Sequence, residues 1–223
     1  MSTIYLVTAN QQLFESDVYK VISVEESLNI MKDWRMVQFD TETLGKDPHV
    51  GKLLLAQFGN IDKTIQIEVD CSTIHISLYK EILEKNYIIG QNLKFDLQWL
   101  YNYNIIPFKV YDTMIVEQLL YLGYPPEYKD PINGVSYGLK AIAERRLGIY
   151  MDKTVRGEIQ WRGIDDAVIK YGAGDVTYLY DIMKLQVADC KRQGCIVGAK
   201  LECDFVPVIA YLEWCGIHLD ISK

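Results

Sequence analysis

The sequence predicts one α/β domain, with or without a short appendage, and three observations support that fold class. The first 70 residues hold short β-rich runs in which apolar and polar side chains alternate, the period of a strand. From about residue 74 onward, helical periodicity alternates with short apolar runs, as is typical of α/β proteins. The chain has 223 residues, of which 49% are hydrophobic, enough to fill a sizeable core.

The N-terminal part is predicted to consist mainly of strands, at residues 3–7, 18–22, 36–41, 53–58 and 64–69. We expect three of them to form a meander. Ser23 and Glu26 have the spacing of a capping box, in which serine accepts a backbone hydrogen bond and glutamate reaches back. The sequence therefore predicts a helix through Trp34 that leads into the strand at residue 36.

The second half is predicted to alternate between helices and short strands. Helices are expected at residues 74–85, 93–103 and 112–122, and strands at 87–90 and 109–111. Pro and Gly recur within residues 122–135, which predicts a surface loop. Further helices are expected at residues 137–147 and from about residue 165 onward.

Bulk properties limit the function classes. The N-terminus lacks a basic start followed by an apolar core, and no segment approaches about 18 uninterrupted apolar residues, so we expect a soluble, intracellular protein without a membrane partner. The five cysteines are never spaced as Cys-x-x-Cys, which favours reduced thiols over a zinc site or disulfides. The three histidines are scattered, and we expect them at the surface or in structural positions.

The net charge of −7 has the wrong sign for a protein that binds nucleic acid through a broad basic surface. A cluster of metal-binding carboxylates would contribute to that acidity, and bound divalent cations would reverse its local effect. Metal binding therefore weakens the argument that this composition makes against a nucleic-acid substrate, but that argument stays.

A pair of carboxylates marks the end of one apolar strand. In MVQFDTETLG, Asp40 and Glu42 are two positions apart, so both side chains point to the same face. Paired acids are costly unless a cation or solvent satisfies them, and a divalent metal is the economical explanation. The alternative is an exposed acidic turn after a strand.

A third acid lies near the start of a predicted amphipathic helix. In GQNLKFDLQWL, Asp96 follows a short strand, and Asn92 is a candidate cap for the helix. An acid in the first turn is also favoured by the helix dipole. Judged from this segment by itself, Asp96 could therefore be a structural residue that binds no metal.

The segment IKYGAGDVTYLYDI places Tyr171 and Asp175 one helical turn apart on the same face. Gly172 and Gly174 lie between them and cost roughly 1 kcal/mol each relative to alanine. That cost is easier to understand where another backbone, a metal or a substrate approaches closely. The alternative is a core tyrosine beside an exposed aspartate.

Together, the segments DTET, NLKFD and YGAGD resemble the motifs of the DEDD exonuclease superfamily, in the subclass that has a tyrosine in its third motif. VYDTMIVEQLL, YGLKAIAERRLGI and KTVRGEIQW also look like family segments, and the resemblance extends from about residue 36 to 183. It implies a ribonuclease H-like fold, in which helices flank both faces of a mixed central sheet and the acids gather at one edge of the central strands.

The resemblance also implies a metal-dependent 3'→5' exonuclease that uses two divalent ions, Mg²⁺ or Mn²⁺. Such ions stabilise the negative charge that gathers on a phosphodiester under attack. By position, Asp40, Glu42 and Asp175 would bind one ion, and Asp40 would bridge to a second ion that Asp96 supports. Tyr171 would orient the attacking water.

Four further residues correspond to positions that hold the terminal nucleotides in similar enzymes: Thr43, Leu44, Asn92 and Phe95. Leu44 and Phe95 would either stack against bases or pack within the domain. Gln91 stands where relatives usually have histidine. We expect this difference to change hydrogen bonds near Gln91 but not metal binding.

The C-terminal stretch LECDFVPVIAYLEWCGIHLD resembles the helix that leads from the proofreading domain into the polymerase of family A DNA polymerases. We therefore expect residues 1–198 to form the exonuclease domain and residues 199–223 a helix toward a covalently linked polymerase domain. The implied substrate is a single-stranded DNA 3' end, and the implied location is the bacterial cytoplasm or a phage-infected cell.

Two alternatives remain open. A stand-alone RNA-trimming enzyme similar to ribonuclease D shares the tyrosine subclass, and Trp161 with residues 171–179 fits it equally well. A degenerate, inactive domain kept as a nucleic-acid-binding module is disfavoured because all five catalytic positions are present.

Overall fold

The computed structural model describes residues 2–10, 12, 16–122, 135–151, 155 and 159–218. Its strands form one sheet whose order is β2-β1-β5-β4-β3-β6-β7. Their bounds are β1 (Thr3–Val7), β2 (Lys20–Val21), β3 (Met36–Leu44), β4 (Lys52–Gly59), β5 (Ile65–Asp70), β6 (Tyr87–Gly90) and β7 (Val110–Asp112).

The sheet is mixed. β3, β4 and β5 form an antiparallel meander, as the sequence predicted. β1 joins the meander parallel to β5, and β6 and β7 continue the sheet parallel to β3 on the other side. Parallel neighbours need crossover connections, and helices lie in the connections between β1 and β5, between β3 and β6, and between β6 and β7. The predicted α/β class is therefore confirmed.

Helices occupy most of the remaining described chain. They are α1 (Val24–Met31), α2 (Lys80–Lys85), α3 (Leu93–Tyr101), α4 (Thr113–Leu120), α5 (Leu139–Leu147), α6 (Ile159–Arg162), α7 (Asp166–Asp175), α8 (Leu179–Gln193) and α9 (Ile196–Cys215). Within the described ranges, no helix is both long and apolar enough to cross a membrane.

Local hydrogen bonds explain where the helices differ from the sequence prediction. The capping box at α1 is confirmed, since the Glu26 amide donates to Ser23 Oγ at 3.1 Å and the Ser23 amide donates to Glu26 Oε2 at 2.8 Å. The prediction that α1 reaches Trp34 was wrong, because the Trp34 amide donates to the Met31 carbonyl in a closing turn.

The predicted helix at residues 74–85 was also wrong in its first half. The Ile74 amide donates to the Asp70 carbonyl in a turn after β5, and a 3₁₀ helix at Ile76–Tyr79 then precedes α2. The predicted loop at residues 122–135 lies almost entirely outside the described residues.

Both faces of the sheet are covered. Consecutive side chains of a strand point to opposite faces, and Ile88 and Ile89 of β6 are both fully buried but belong to different hydrophobic clusters. Helix α3 packs with the cluster of Ile88, and α8 packs with that of Ile89. The ends of the central strands are therefore the places where side chains from both layers can meet.

Helix α9 packs on this same body. Its Cys203, Val206 and Ala210 are buried, and Tyr101 Oη of α3 donates to the Pro207 carbonyl at 3.0 Å. The helix begins at Ile196, just before the boundary expected between residues 198 and 199. The assignment of residues 199–223 to a connection with another domain stays a prediction.

Candidate active site

Strand β3, next to the middle strand of the sheet, carries the first acid pair in its C-terminal half. Asp40 lies opposite Gln57 of β4, Glu42 lies opposite Leu55, and the register shifts after Glu42. Asp40 and Glu42 therefore share one face of the strand, and both are partly exposed. The predicted convergence of these two carboxylates on one face is present in the structure.

Helix α7 brings the third motif to the same place. Its first turn is capped by Asp165, whose Oδ1 accepts from the Val168 amide at 2.9 Å. The C-terminal end of α7 approaches β4 so closely that a Cβ at Gly59 would lie 2.4 Å from the Val176 carbonyl oxygen. In this arrangement, one carboxylate oxygen from each of Asp40, Glu42 and Asp175 lies within 4.8 Å of the others.

The two glycines of α7 have different surroundings. A Cβ at Gly172 would lie 2.4 Å from Gln57 Nε2 and 2.9 Å from Glu68 Oε2, so the predicted close approach is made there by protein side chains. At Gly174, a Cβ would meet nothing within 4 Å. Packing therefore accounts for Gly172, whereas an approaching substrate at Gly174 remains a prediction.

Asp96 enters from α3, behind the first three acids. It is 2% exposed, and Thr41 Oγ1 donates to its Oδ1 at 2.6 Å. Burial is the main cause that raises the pKa of Asp96 from 3.8 to about 8, and the Thr41 hydrogen bond opposes that rise. Asp96 does not join the three-carboxylate cluster but lines the same cavity.

The predicted capping role of Asn92 was wrong. Asn92 occupies the N-cap position of α3 in a left-handed conformation with φ of 58°, and its side chain makes no capping hydrogen bond. Asp112 takes that role, because it accepts from the Asn92 amide at 3.0 Å and the Leu93 amide at 2.8 Å. The same carboxylate accepts from the Met114 amide at 2.9 Å and so caps α4 as well.

Sequence reasoning missed Asp112, although VYDTM carried a signal. An aspartate between a strand and a helix is a typical N-cap, but nothing local shows that it also serves a second helix. Asp112 is fully buried, and burial raises its pKa even though four backbone amides oppose the rise.

A cavity of about 470 Å³ joins these groups. It is lined by Asp40, Thr41, Glu42, Thr43, Gly45, Lys46, Gln91, Asn92, Phe95, Asp96, Met114, Gly138, Leu139, Tyr171 and Asp175. All five predicted catalytic residues are therefore brought together. Of the predicted substrate-binding residues, Thr43, Asn92 and Phe95 line the cavity, whereas Leu44, 40% exposed at the end of β3, does not.

A layer of buried polar side chains lies beneath the acids. Gln57, Gln66 and Glu68 are fully buried, and their side-chain nitrogens and oxygens make no hydrogen bond with the described residues. Burial, followed by the charges of Glu42 and Asp175, raises the pKa of Glu68 well above its usual range. The signal in the sequence was the alternation of Gln66 and Glu68 with apolar residues in β5.

The donor set fits a divalent cation. Carboxylate oxygens are hard ligands of the kind that Mg²⁺ and Mn²⁺ prefer, and three of them converge from β3 and α7. Asp96 must lose its proton before it can act as an anionic ligand or as an acceptor for a metal-bound ligand.

Comparisons with known proteins identify the family of this chain. A family model described as 3'-5' exonuclease matches residues 18–186, which include all three motifs. DNA polymerase I of Aquifex aeolicus (strain VF5) is 30% identical over 220 residues, which cover 90% of this chain and 35% of that protein. The chain thus spans about a third of the length of this relative.

Solved structures share the fold. Brucella melitensis NrnC bound to pGG has a TM-score of 0.74 and 24% identity, covering 100% of this chain and 99% of that one. Escherichia coli RNase D, an exoribonuclease involved in structured RNA processing, has a TM-score of 0.73 and 19% identity, covering 95% of this chain and 51% of that one. These likenesses confirm the predicted ribonuclease H-like architecture.

The family model spans three quarters of the sequence, and the motifs on which the resemblance rested lie inside the matched range. The chain therefore belongs to the 3'→5' exonuclease family and is a nuclease domain of the DEDD type.

Proposed function

We propose that this chain removes nucleotides one at a time from the 3' end of single-stranded DNA, in a reaction that needs two divalent ions. The observation that supports it best is the convergence of Asp40, Glu42 and Asp175 within 4.8 Å, with Asp96 and Tyr171 in the same cavity. Four carboxylates in a single cavity offer hard oxygen ligands for two divalent ions, which is the arrangement that two-metal hydrolysis of a phosphodiester uses.

Bound divalent ions would lower the pKa of the nucleophilic water and neutralise charge on the leaving oxygen. The protein groups position these partners. Asp40, Glu42 and Asp175 would hold the first ion, and Asp96, which accepts from Thr41, would support the second. Tyr171 is 8% exposed and lines the cavity, from which its hydroxyl would orient the water.

A proofreading role in a family A DNA polymerase is the finer part of the proposal. It is supported by the 30% identity to DNA polymerase I over 90% of the chain, and by the family-like C-terminal stretch, of which residues 201–215 lie in α9. In that setting a covalently linked polymerase would deliver the frayed primer end to the cavity.

The test uses 5'-labelled single-stranded DNA with Mg²⁺, Mn²⁺ or excess EDTA. We expect a ladder of products that shorten stepwise from the 3' end and 5'-mononucleotides as the released product, with no reaction in EDTA. A circular single strand is the matched control, because it has the same backbone but no 3' end. Cleavage of the circle, or activity in excess EDTA, would contradict the proposal.

A second candidate is a stand-alone exonuclease that trims RNA. It is favoured by the fold that this chain shares with Brucella melitensis NrnC bound to pGG and with Escherichia coli RNase D, an exoribonuclease. DNA and RNA oligonucleotides of one sequence separate the candidates, because RNA presents a 2'-hydroxyl that the site must accept or exclude. A higher kcat/KM on RNA, or on a dinucleotide such as pGG, would favour the second candidate.

A further inference from the structure

The loop between β3 and β4 brings a lysine to the acidic cavity. Lys46 follows Gly45, which has φ of 91°, and both residues line the cavity beside Asp40 and Glu42. Among the described lining residues, Lys46 is the only cation, and the described chain gives it no carboxylate partner. An exposed ammonium group therefore stands at the rim of a site that must receive a polyanion.

Several contacts hold this loop in place. Thr43 Oγ1 donates to the Gly45 carbonyl at 2.9 Å, and the Gly51 amide donates to the Asp47 carbonyl at 2.8 Å. Gly51 is packed so tightly that a Cβ there would lie 2.4 Å from the Leu44 carbonyl oxygen. The backbone that presents Lys46 is thus fixed at both ends of the loop.

Helix α9 supports the middle of the loop. Trp214 Nε1 donates to Asn102 Oδ1 at 2.8 Å, and Asn102 Nδ2 donates to the Pro48 carbonyl at 2.6 Å. The His49 ring stacks on Trp214 with centroids 5.6 Å apart, and its Nε2 lies 2.8 Å from the Trp214 carbonyl oxygen. The C-terminal end of α9 is therefore linked to the loop that lines the cavity.

We propose that Lys46 binds a phosphate of the substrate strand, and that Trp214 is a positioning residue that holds the Lys46 loop from α9. The inference rests on the proposed function and names one of its binding residues. Every nucleotide carries a backbone phosphate, and lysine is a common phosphate partner that acts as a point charge. Lys46 contributes to substrate binding rather than to bond cleavage, so its removal should raise KM and leave kcat nearly unchanged.

The first experiment compares Lys46→Gln with the wild-type protein on single-stranded DNA across a salt series. Loss of one phosphate contact at an exposed site should raise KM roughly 2- to 5-fold and leave kcat nearly unchanged. The slope of log K against log salt should become shallower by about 0.7. Lys20→Gln is the control, because Lys20 lies exposed on β2, four strands from β3.

The second experiment is a double-mutant cycle. Trp214→Phe keeps an aromatic ring but removes the Nε1 hydrogen bond to Asn102, so KM should rise less than in Lys46→Gln. If Trp214 acts through the Lys46 loop, adding Trp214→Phe to Lys46→Gln should raise KM no further. Phe205→Ala, a change at a half-exposed position of the same helix, is the control and should leave KM unchanged.

Three outcomes would overturn the proposal: an unchanged KM and salt slope in Lys46→Gln, fully additive effects in the cycle, or a change in Mn²⁺ affinity in place of the change in KM. The last outcome would mean that Lys46 only offsets the charge of the acids. Fluorescence anisotropy of labelled DNA with Ca²⁺ measures binding without turnover. If the wild-type protein binds DNA but does not shorten it, the proposed function fails while the Lys46 comparison still gives an answer.

Discussion

Replacing Gly59 with alanine tests whether the approach of α7 to β4 places Asp175. The new Cβ would lie 2.4 Å from the Val176 carbonyl oxygen, whereas ordinary contacts begin near 3.4 Å. The backbone after Asp175 must therefore move by about 1 Å, because the clashing atom belongs to the main chain. Overpacking of this kind typically costs about 1–3 kcal/mol of stability.

The same displacement should weaken catalysis more than it weakens folding. A misplacement of about 1 Å in a catalytic group can lower the rate roughly 100-fold. We expect Gly59→Ala to unfold at lower denaturant concentration, to remain folded at 25 °C, and to lose about two orders of magnitude in kcat on 5'-labelled single-stranded DNA. Its affinity for Mn²⁺, measured by calorimetry, should fall because one ligand of the cluster has moved.

Gly198→Ala makes the same chemical change on α9 and is the matched control. Its Cβ would meet Leu119 Cδ2 at an ordinary 3.7 Å, and alanine is the better helix former by roughly 1 kcal/mol. This variant should be slightly more stable, with unchanged kcat. If Gly59→Ala kept wild-type kcat and Mn²⁺ affinity, the position of Asp175 would not depend on this contact and the argument would fail.

Three further predictions concern single side chains. Asp40→Ala or Asp175→Ala should nearly abolish turnover, whereas Tyr171→Phe should retain residual kcat because only water orientation is lost; the opposite ranking would contradict these roles. In EDTA, unfolding free energy should fall as pH rises from about 4 to about 8, because folded Asp96, with its pKa of about 8, keeps a proton that the unfolded chain releases. Asp96→Asn should make this slope shallower without removing it, because the buried carboxyls of Glu68 and Asp112 also have raised pKa values. Asp112→Asn should cost about 1–3 kcal/mol in denaturant unfolding, since asparagine keeps only one acceptor oxygen and its NH₂ group would face a backbone amide that the other oxygen now accepts from; an unchanged midpoint would refute its double cap.

The fold was predictable where local pattern and tertiary structure agree. The strand at Tyr87–Gly90 was predicted with its observed bounds because both of its central residues are apolar and both faces of the sheet are buried there. The meander followed from three β-rich runs joined by short turns. The prediction of a helix at residues 74–85 was wrong for its first residues, because a hydrogen bond to the Asp70 carbonyl holds them in a turn. Hydrophobic periodicity does not reveal such a contact.

The acids were predictable because short spacing fixes their faces. Asp40 and Glu42 share a strand face, and Tyr171 and Asp175 share a helix face, so each pair could be placed from the sequence alone. Bringing the pairs together depends on Gly59, whose missing side chain lets α7 approach the sheet. A lone glycine at the end of a strand does not reveal which backbone it will face.

Groups that act across elements could not be predicted. Thr41 received no role from the sequence, yet its side chain points to the opposite face of β3 from Asp40 and Glu42 and donates to Asp96 of α3. Asp112 serves two helices because β6 and β7 end side by side in the sheet. Each role depends on which strands are neighbours, and strand order is a property of the whole fold rather than of any segment.

The acidic composition and the proposed substrate are reconciled by the geometry of the cavity. The net charge of −7 argues against a broad basic surface, and the described lining holds four carboxylates against one lysine. Two divalent cations would offset those four carboxylates, which leaves Lys46 as the uncompensated charge at the rim. Attraction for a polyanion would then arise only after metal binding, and only at the place where the 3' end must sit. The acidic surface of the protein would then attract the rest of the strand only weakly. The bound metals and Lys46 would hold the phosphates at the 3' end.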